Sequence, residues 1–244
     1  MRIGGTGAVT EALRALAPAF KTETGITLQV VSNLGSTGAY AGVADGKLGL
    51  AVGGRDLRDK EKARGLRVDG VLRTPFGFVT SRTVPDRLER SDIVRLHWAV
   101  NPTWSDGTPV VVVLRPPNES DNQTVADHFT GMAEALAHLR KRRDLPIAAT
   151  DQDNADMAES AKGSLVAATL AQITAERRKL RFVAIDGVEP SLQAYLDGSY
   201  PYGKLFYLAI PRTPGADATA FLRFIASPAA RQRLAALGLV AGAR

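Results

Sequence analysis

A chain of 244 residues with 45% hydrophobic and 23% charged side chains has the composition of an ordinary globular protein, and no low-complexity stretch interrupts it. Its formal charge of +6 favours anionic partners, whether nucleic acid, a membrane surface or small anions. The absence of cysteine excludes thiolate catalysis and cysteine-based metal sites, and no aliphatic run approaches the roughly 20 residues that a bilayer-crossing helix needs.

Strand and helix signals alternate, which points to an α/β architecture. Ile3 lies in a short strand, and Gly4-Gly5-Thr6-Gly7 turns out of it. Leu13, Leu16 and Phe20 recur at helical spacing until Gly25 stops the helix. A strand over 26–31 follows, then Gly35-Ser36-Thr37-Gly38 opens a second helix that ends near Asp45-Gly46. Residues 48–52 read as strand, 59–64 as a charged helix, and 72–81 as a long strand interrupted by Pro75. From 84 to 108 the pattern weakens, and Trp98 and Trp104 are expected to fill core. The valine run within 108–114 predicts a buried strand, after which a loop over 115–122 leads into one long amphipathic helix reaching Arg143. A short strand ends at Ala148, and helices are expected over 153–162 and 165–177. A strand over 180–185, a short helix over 191–196, a strand over 205–210 and closing helices over 216–226 and 229–237 complete the chain. The run Arg140-Lys141-Arg142-Arg143 reads as the solvated end of the long helix, complementing its dipole.

Catalytic and cofactor patterns fail on inspection. Gly5-Thr6-Gly7 begins like a dinucleotide fingerprint, but Thr10 stands where the third glycine belongs and the second strand ends at Val31-Ser32-Asn33 without an acid. No Walker lysine follows either glycine loop. Asp151, Asp153 and Asp156 resemble a calcium loop without its glycine, and Lys162 stands in place of the final glutamate, so a helix-capping cluster is expected instead. His97, His128 and His138 have no metal-ligand spacing, and no zinc-finger or RNP-type motif suggests a nucleic-acid partner. No catalytic group, metal or cofactor is therefore assigned.

Three loops share a different property. Gly5-Thr6-Gly7-Ala8, Gly35-Ser36-Thr37-Gly38 and Ser120-Asp121-Asn122 each place small or polar residues at a predicted helix start. A helix start offers backbone N–H groups with no partner inside the helix and a partial positive charge, which suits an anion. The bland alternative is ordinary N-capping, which any one such loop satisfies. Three together, with Arg115 five residues before Ser120, point to one shared oxyanion site in which a guanidinium makes paired, charge-assisted bonds. One carboxylate there, from Asp121 or Asp56, would accept the proton that phosphate keeps at neutral pH and would repel sulfate.

In this order the loops resemble the phosphate-binding proteins of ABC importers. The likeness runs through Ile3-Gly4-Gly5-Thr6-Gly7, Phe20-Lys21-Thr22-Glu23-Thr24-Gly25, Gly35-Ser36-Thr37-Gly38, Gly49-Leu50-Ala51 with Arg55-Asp56, Arg115 with Ser120-Asp121, and Gly198-Ser199-Tyr200-Pro201-Tyr202. It implies a type II periplasmic-binding-protein fold: two α/β lobes with mixed sheets flanked by helices, joined by two crossing hinge strands. Lobe one would be residues 1–78 plus 204–244 and lobe two residues 79–203, with the ligand in the cleft between. Carried over position by position, the ligand groups are Thr6, Gly7, Ala8, Ser36, Thr37, Arg55, Arg115, Ser120, Asp121 and Asn122. Two departures stand out: Ser-Asp-Asn replaces the family's Ser-Gly-Thr, and the acid expected after the third strand falls near Gly54, with Arg55-Asp56 just beyond. The implied function is capture of phosphate or a related oxyanion by a monomer that closes on it and delivers it to a membrane permease. The implied place is the periplasm or another exported site, with the signal segment already removed. A sensor feeding a signalling partner and, further off, a nucleotide-dependent oxidoreductase are the alternatives.

Overall fold

A computed structural model describes residues 1–83 and 87–242. Residues 84–86, where the weakly patterned stretch begins, and 243–244, at the end of the expected first lobe, lie outside the described residues.

In chain order the elements begin with β1 (Arg2–Gly5), α1 (Gly7–Thr24), β2 (Gln29–Val31), α2 (Gly35–Ala44), β3 (Leu50–Gly53), α3 (Asp59–Ala63) and β4 (Leu66–Thr80). They continue with β5 (Arg87–Leu88), α4 (Arg90–Trp98), α5 (Ser120–His128), α6 (Met132–Leu139), α7 (Asp151–Ser160), β6 (Val166–Thr169) and α8 (Leu170–Ala175). The last are β7 (Arg181–Phe182), β8 (Ala184–Ile185), α9 (Leu192–Leu196), β9 (Gly203–Pro211), α10 (Ala216–Ala226), α11 (Pro228–Ala236) and β10 (Val240–Gly242). The chain divides into two compact units: Met1–Thr74 with Thr174–Glu176 and Lys204–Arg244, and Pro75–Ile173 with Arg177–Gly203.

The first unit holds a mixed sheet in the order β10-β4-β9-β3-β1-β2. β1 runs parallel to both β2 and β3, while β9 is antiparallel to β3 and β10 is antiparallel to β4. From β1 the chain steps outward to β2 through α1, then back across β1 to β3 through α2. Right-handed crossovers in opposite directions must place their helices on opposite faces of the sheet. The core shows this: Tyr40 and Val43 of α2 pack with Leu48, Ala51, Leu57 and Leu66, whereas Phe20 of α1 packs edge-on to Phe221 (5.4 Å) and tilted against Phe224 (5.3 Å) of α10. Between β1 and β3 the strand order reverses, so loops leaving their carboxyl ends diverge and open a crevice.

In the second unit the later part of β4 pairs antiparallel with β6 and β7, and β5 pairs parallel with β8. A large apolar cluster gathers Phe76, Phe78, Ile93, Leu96, Phe129 and Tyr202, and a smaller one gathers Val79, Val113, Ala155 and Val166. Phe129 stacks on Tyr202 (5.0 Å, 22°), and the Tyr200 hydroxyl donates to the Phe76 carbonyl at 3.0 Å.

Several expectations are corrected. Pro75 does not interrupt the long strand: β4 begins at Leu66 and passes through it. The valine run is buried but forms no ladder. It touches neighbours through the isolated bridges Val111↔Ser164 and Leu114↔Ile147, with Val112 facing the large cluster and Val113 the small one. An extended segment buried on both sides has the apolar continuity of a strand without its pairing. The single helix expected up to Arg143 is two, α5 and α6, broken at Gly131, whose φ of 89° no interior helical position takes. The first residues of the helix expected over 165–177 are β6, because Val166 and Ala168 pack on the sheet at period two. Trp98 is 44% exposed at the end of α4, where it lies tilted against His138 (4.8 Å) instead of filling core, whereas Trp104 is buried and donates to the Gly163 carbonyl at 2.9 Å.

Candidate functional site

The first unit brings Thr6, Gly7, Ala8, Ser36, Thr37 and Arg55 to the carboxyl ends of β1 and β3. Thr6, with extended backbone at the mouth of α1, donates its N–H to the Val52 carbonyl of β3 (3.0 Å), and its own carbonyl accepts from the Val9 N–H and the Thr10 hydroxyl. Gly7 and Ala8 form the first turn of α1. Two residues beyond Val52, the Gly54 N–H donates to Ser36 Oγ at 2.9 Å, which ties the start of α2 to the same strand end.

Arg55 fastens the rest of this tip. Its Nη2 donates to Thr37 Oγ1 (3.1 Å) and to Glu61 Oε1 (2.6 Å), and its Nη1 donates to Glu61 Oε2 (2.8 Å) and to the Asp56 carbonyl (2.8 Å). The guanidinium lies over the Tyr40 ring, 5.1 Å from its centroid, and the Tyr40 hydroxyl donates to the Arg55 carbonyl. That hydroxyl passes over Gly53, where an added Cβ would stand 1.9 Å from it, so only glycine fits. Burial of Glu61 would raise its carboxyl, but the Arg55 guanidinium and the Arg58 N–H outweigh it and hold the group below the usual range. The same bond to Glu61 raises Arg55, and burial pushes the Tyr40 hydroxyl up. Four of the five guanidinium N–H groups of Arg55 are thus engaged inside the unit.

The second unit gathers Arg115, Ser120, Asp121 and Asn122 in one loop at the start of α5. Arg115 is 6% exposed. Its Nη1 donates to the Thr150 carbonyl, and its Nη2 donates to Asp151 Oδ1 at 3.0 Å with Glu119 Oε2 at 3.4 Å. Its Nε is buried with no hydrogen-bond partner among the described residues. Asp151 is held in turn: it starts α7, whose N-cap Thr150 closes a capping box with Asp153 (3.0 and 2.9 Å), and its carbonyl accepts from Gln172 Nε2 at 2.9 Å. The three aspartates singled out in the sequence therefore divide their work, with Asp153 capping, Asp151 on Arg115, and Asp156 on Arg178.

Ser120 opens α5 with its carbonyl accepting from the Thr124 hydroxyl at 3.0 Å, and Asp121 is buried (7% exposed) in the same turn. Asn122 Nδ2 donates to the Pro116 carbonyl (2.7 Å) while its Oδ1 accepts from Arg140 Nη2 (3.0 Å). Arg140 Nη1 also donates to the Arg115 carbonyl at 2.9 Å. This corrects the reading of the basic run as a solvated helix end. Arg140 braces the loop, Arg142 pairs with Asp144 and donates to the Val100 carbonyl (2.8 Å), and only Lys141 and Arg143 are exposed. Beside the loop is a cavity of about 30 Å³ lined by Arg115, Asp121, Asn122, Asn154, His97 and apolar side chains.

Tyr40 went unnoticed in the sequence, Arg140 and Asp151 were read there in other roles, and the pairing of Glu61 was not seen, because no local pattern links Arg55 to Glu61 six residues on, or Arg115 to Asp151 thirty-six residues on. His97 is buried with Nδ1 on the Ile93 carbonyl (2.7 Å), His128 Nε2 meets the Gly203 carbonyl (2.7 Å), and His138 lies against the Trp98 ring. Among the described residues no cluster of His, Cys, Asp or Glu is arranged to hold a metal ion. No helix of the described residues is long and apolar enough to cross a membrane.

A family model described as the PBP superfamily domain matches residues 1–229. Of the solved structures that the chain resembles, one from Clostridium perfringens is named as a phosphate ABC transporter substrate-binding protein with bound phosphate. It has a TM-score of 0.83 and 19% identity over 98% of each chain. An ABC-type phosphate transport receptor from Vibrio cholerae matches with a TM-score of 0.66 and 12% identity, over 98% of this chain and 99% of that one. The periplasmic molybdate-binding protein of Azotobacter vinelandii matches with a TM-score of 0.64 and 14% identity over 98% of each. No curated protein sequence matches. Identities this low establish the shared fold and leave the ligand to the residues.

Proposed function

Because the chain belongs to the PBP superfamily, we propose that it is a solute-binding protein that captures phosphate or a related oxyanion for an ABC-type importer. The observation that carries this reading is the α5 loop. There a nearly buried guanidinium, Arg115, is oriented by Thr150 and Asp151 beside the start of a nine-residue helix. A helix start and an oriented guanidinium suit a tetrahedral anion, and neither is arranged for covalent chemistry. Two solved relatives in fold are named for phosphate and one for molybdate, so the oxyanion class is the common denominator.

In this reading each of the two units contributes its own set of ligand groups. The first unit supplies Thr6, Gly7, Ala8, Ser36 and Thr37, and the second supplies Arg115, Ser120 and Asp121. β4 and β9 serve as the hinge strands, and closure about them reports occupancy to the permease. Arg55 and Asn122, whose side chains are engaged within their own tips, act by holding those tips in shape. Asp121 accepts the ligand's proton and so disfavours sulfate. The protein works as a monomer outside the cytoplasm and catalyses no reaction.

The test is a thermal-shift series on dialysed protein against phosphate, arsenate, molybdate, sulfate, phosphonates and NAD(P). A ligand at a hundred times its Kd stabilises the native state by about 2.7 kcal/mol, which such a series resolves. Phosphate or another tetrahedral oxyanion is expected to give the largest shift. A shift with NAD(P) and none with any oxyanion would overturn the reading in favour of nucleotide binding.

A further inference from the structure

We propose that Arg140 is a positioning residue for the anion loop, its guanidinium fork clamping the two ends of the segment from Arg115 to Asn122; the proposal rests on the function given above. One Nη donates to the Arg115 carbonyl (2.9 Å), where the loop leaves the extended segment, and the other to Asn122 Oδ1 (3.0 Å), where the loop has become helix. Asn122 relays the clamp inward, because its Nδ2 donates to the Pro116 carbonyl at 2.7 Å. Three bonds thus close a ring around the loop that carries Arg115, Ser120 and Asp121.

The chemistry of the partners makes this more than a surface contact. Both acceptors of Arg140 are neutral, and burial lowers its pKa with no carboxylate among the described residues opposing it. Two other arginines of this chain are matched to acids, Arg142 to Asp144 and Arg64 to Asp45. A half-buried cation without an acid is costly unless its geometry does something. A planar fork can span two acceptors at a set separation, which a lysine ammonium on a single point cannot. Within the same basic run, Lys141 and Arg143 remain exposed, so the four residues are not interchangeable.

The clamp and the ligand reading can be separated by two measurements on the full chain: amide hydrogen exchange without ligand, and calorimetric titration with inorganic phosphate. Arg140→Lys, Arg140→Met and Asn122→Ala are each expected to speed exchange in residues 118–122 about tenfold while leaving the β1 and β3 amides unchanged. Each is also expected to weaken phosphate about tenfold, and the Arg140→Met/Asn122→Ala double variant no further than either single, because the two act as one device. Unchanged exchange in the loop, wild-type behaviour of Arg140→Lys, or simple addition of the two single effects would overturn the clamp. If wild type binds no oxyanion while loop exchange responds as described, the clamp stands and it is the functional reading that falls.

Discussion

The two tips solve the same mechanical problem with opposite electrostatics. In the first unit the brace is Arg55, whose charge is cancelled by a bidentate bond to the buried Glu61, so the tip gains shape and little field. In the second unit the brace is Arg140 on neutral acceptors, and Arg115 beside it shares Asp151 with only a more distant Glu119. A neutralised brace organises amides and hydroxyls, whereas an uncancelled one adds positive potential to the loop it holds. The comparison teaches that the two braces differ in what cancels them: Glu61 matches Arg55 in the first tip, whereas in the second Asp151 and Glu119 lie on Arg115 and Arg140 bonds a carbonyl and an amide oxygen.

Breaking the first brace is expected to have the largest effect. Glu61→Ala leaves Arg55 partly buried without its acid and should destabilise the fold by about 3 kcal/mol, read as a fall in the urea midpoint. Next is the charge of the second unit: Arg115→Ala should weaken phosphate by about 100-fold in calorimetry, the scale of one lost pair of charge-assisted bonds. Wild-type affinity in that variant would place the anion elsewhere. Asp121→Asn should change preference more than affinity, narrowing the discrimination of phosphate over sulfate by about tenfold in competition; unchanged selectivity would assign the proton-accepting role to another group.

Acid should take the two units apart in sequence. Burial holds His97 below its usual range, so its contribution to stability is complete above about pH 6.5 and declines as pH falls from there toward the lowered native value. Glu61 is also lowered, so its contribution persists until pH falls through the lowered value, below about 4.3. Stability measured against pH should show the first decline erased in His97→Leu and the second in Glu61→Gln. The smallest effect sharpens the contrast within the basic run: Lys141→Ala and Arg143→Ala should each shift stability by under about 0.5 kcal/mol and leave loop exchange unchanged.

Elements with their own punctuation were legible in the sequence. The glycine-rich turn before α1, Gly25 after it, the Gly35–Gly38 start of α2 and the amphipathic α10 all rest on interactions within a few residues, and the α/β class follows from their alternation. The valine run was legible as buried but not as unpaired, because hydrophobicity records burial and not which backbone lies alongside. Trp98 was misplaced for a related reason: an aromatic ring at a helix end looks the same in sequence whether core or solvent faces it.

By itself, then, the sequence determined where helices begin, which loops carry small and hydroxyl-bearing residues, and that a guanidinium stands just ahead of one of them. Only the tertiary structure decided which acid or carbonyl each guanidinium meets: Glu61 for Arg55, Asp151 for Arg115, and the Arg115 carbonyl with Asn122 for Arg140. The physical reason is range. Helix starts and stops are settled by neighbours a turn away, while an ion pair or a clamp depends on segments that only the packing of sheet and helices brings within 3 Å or so of each other.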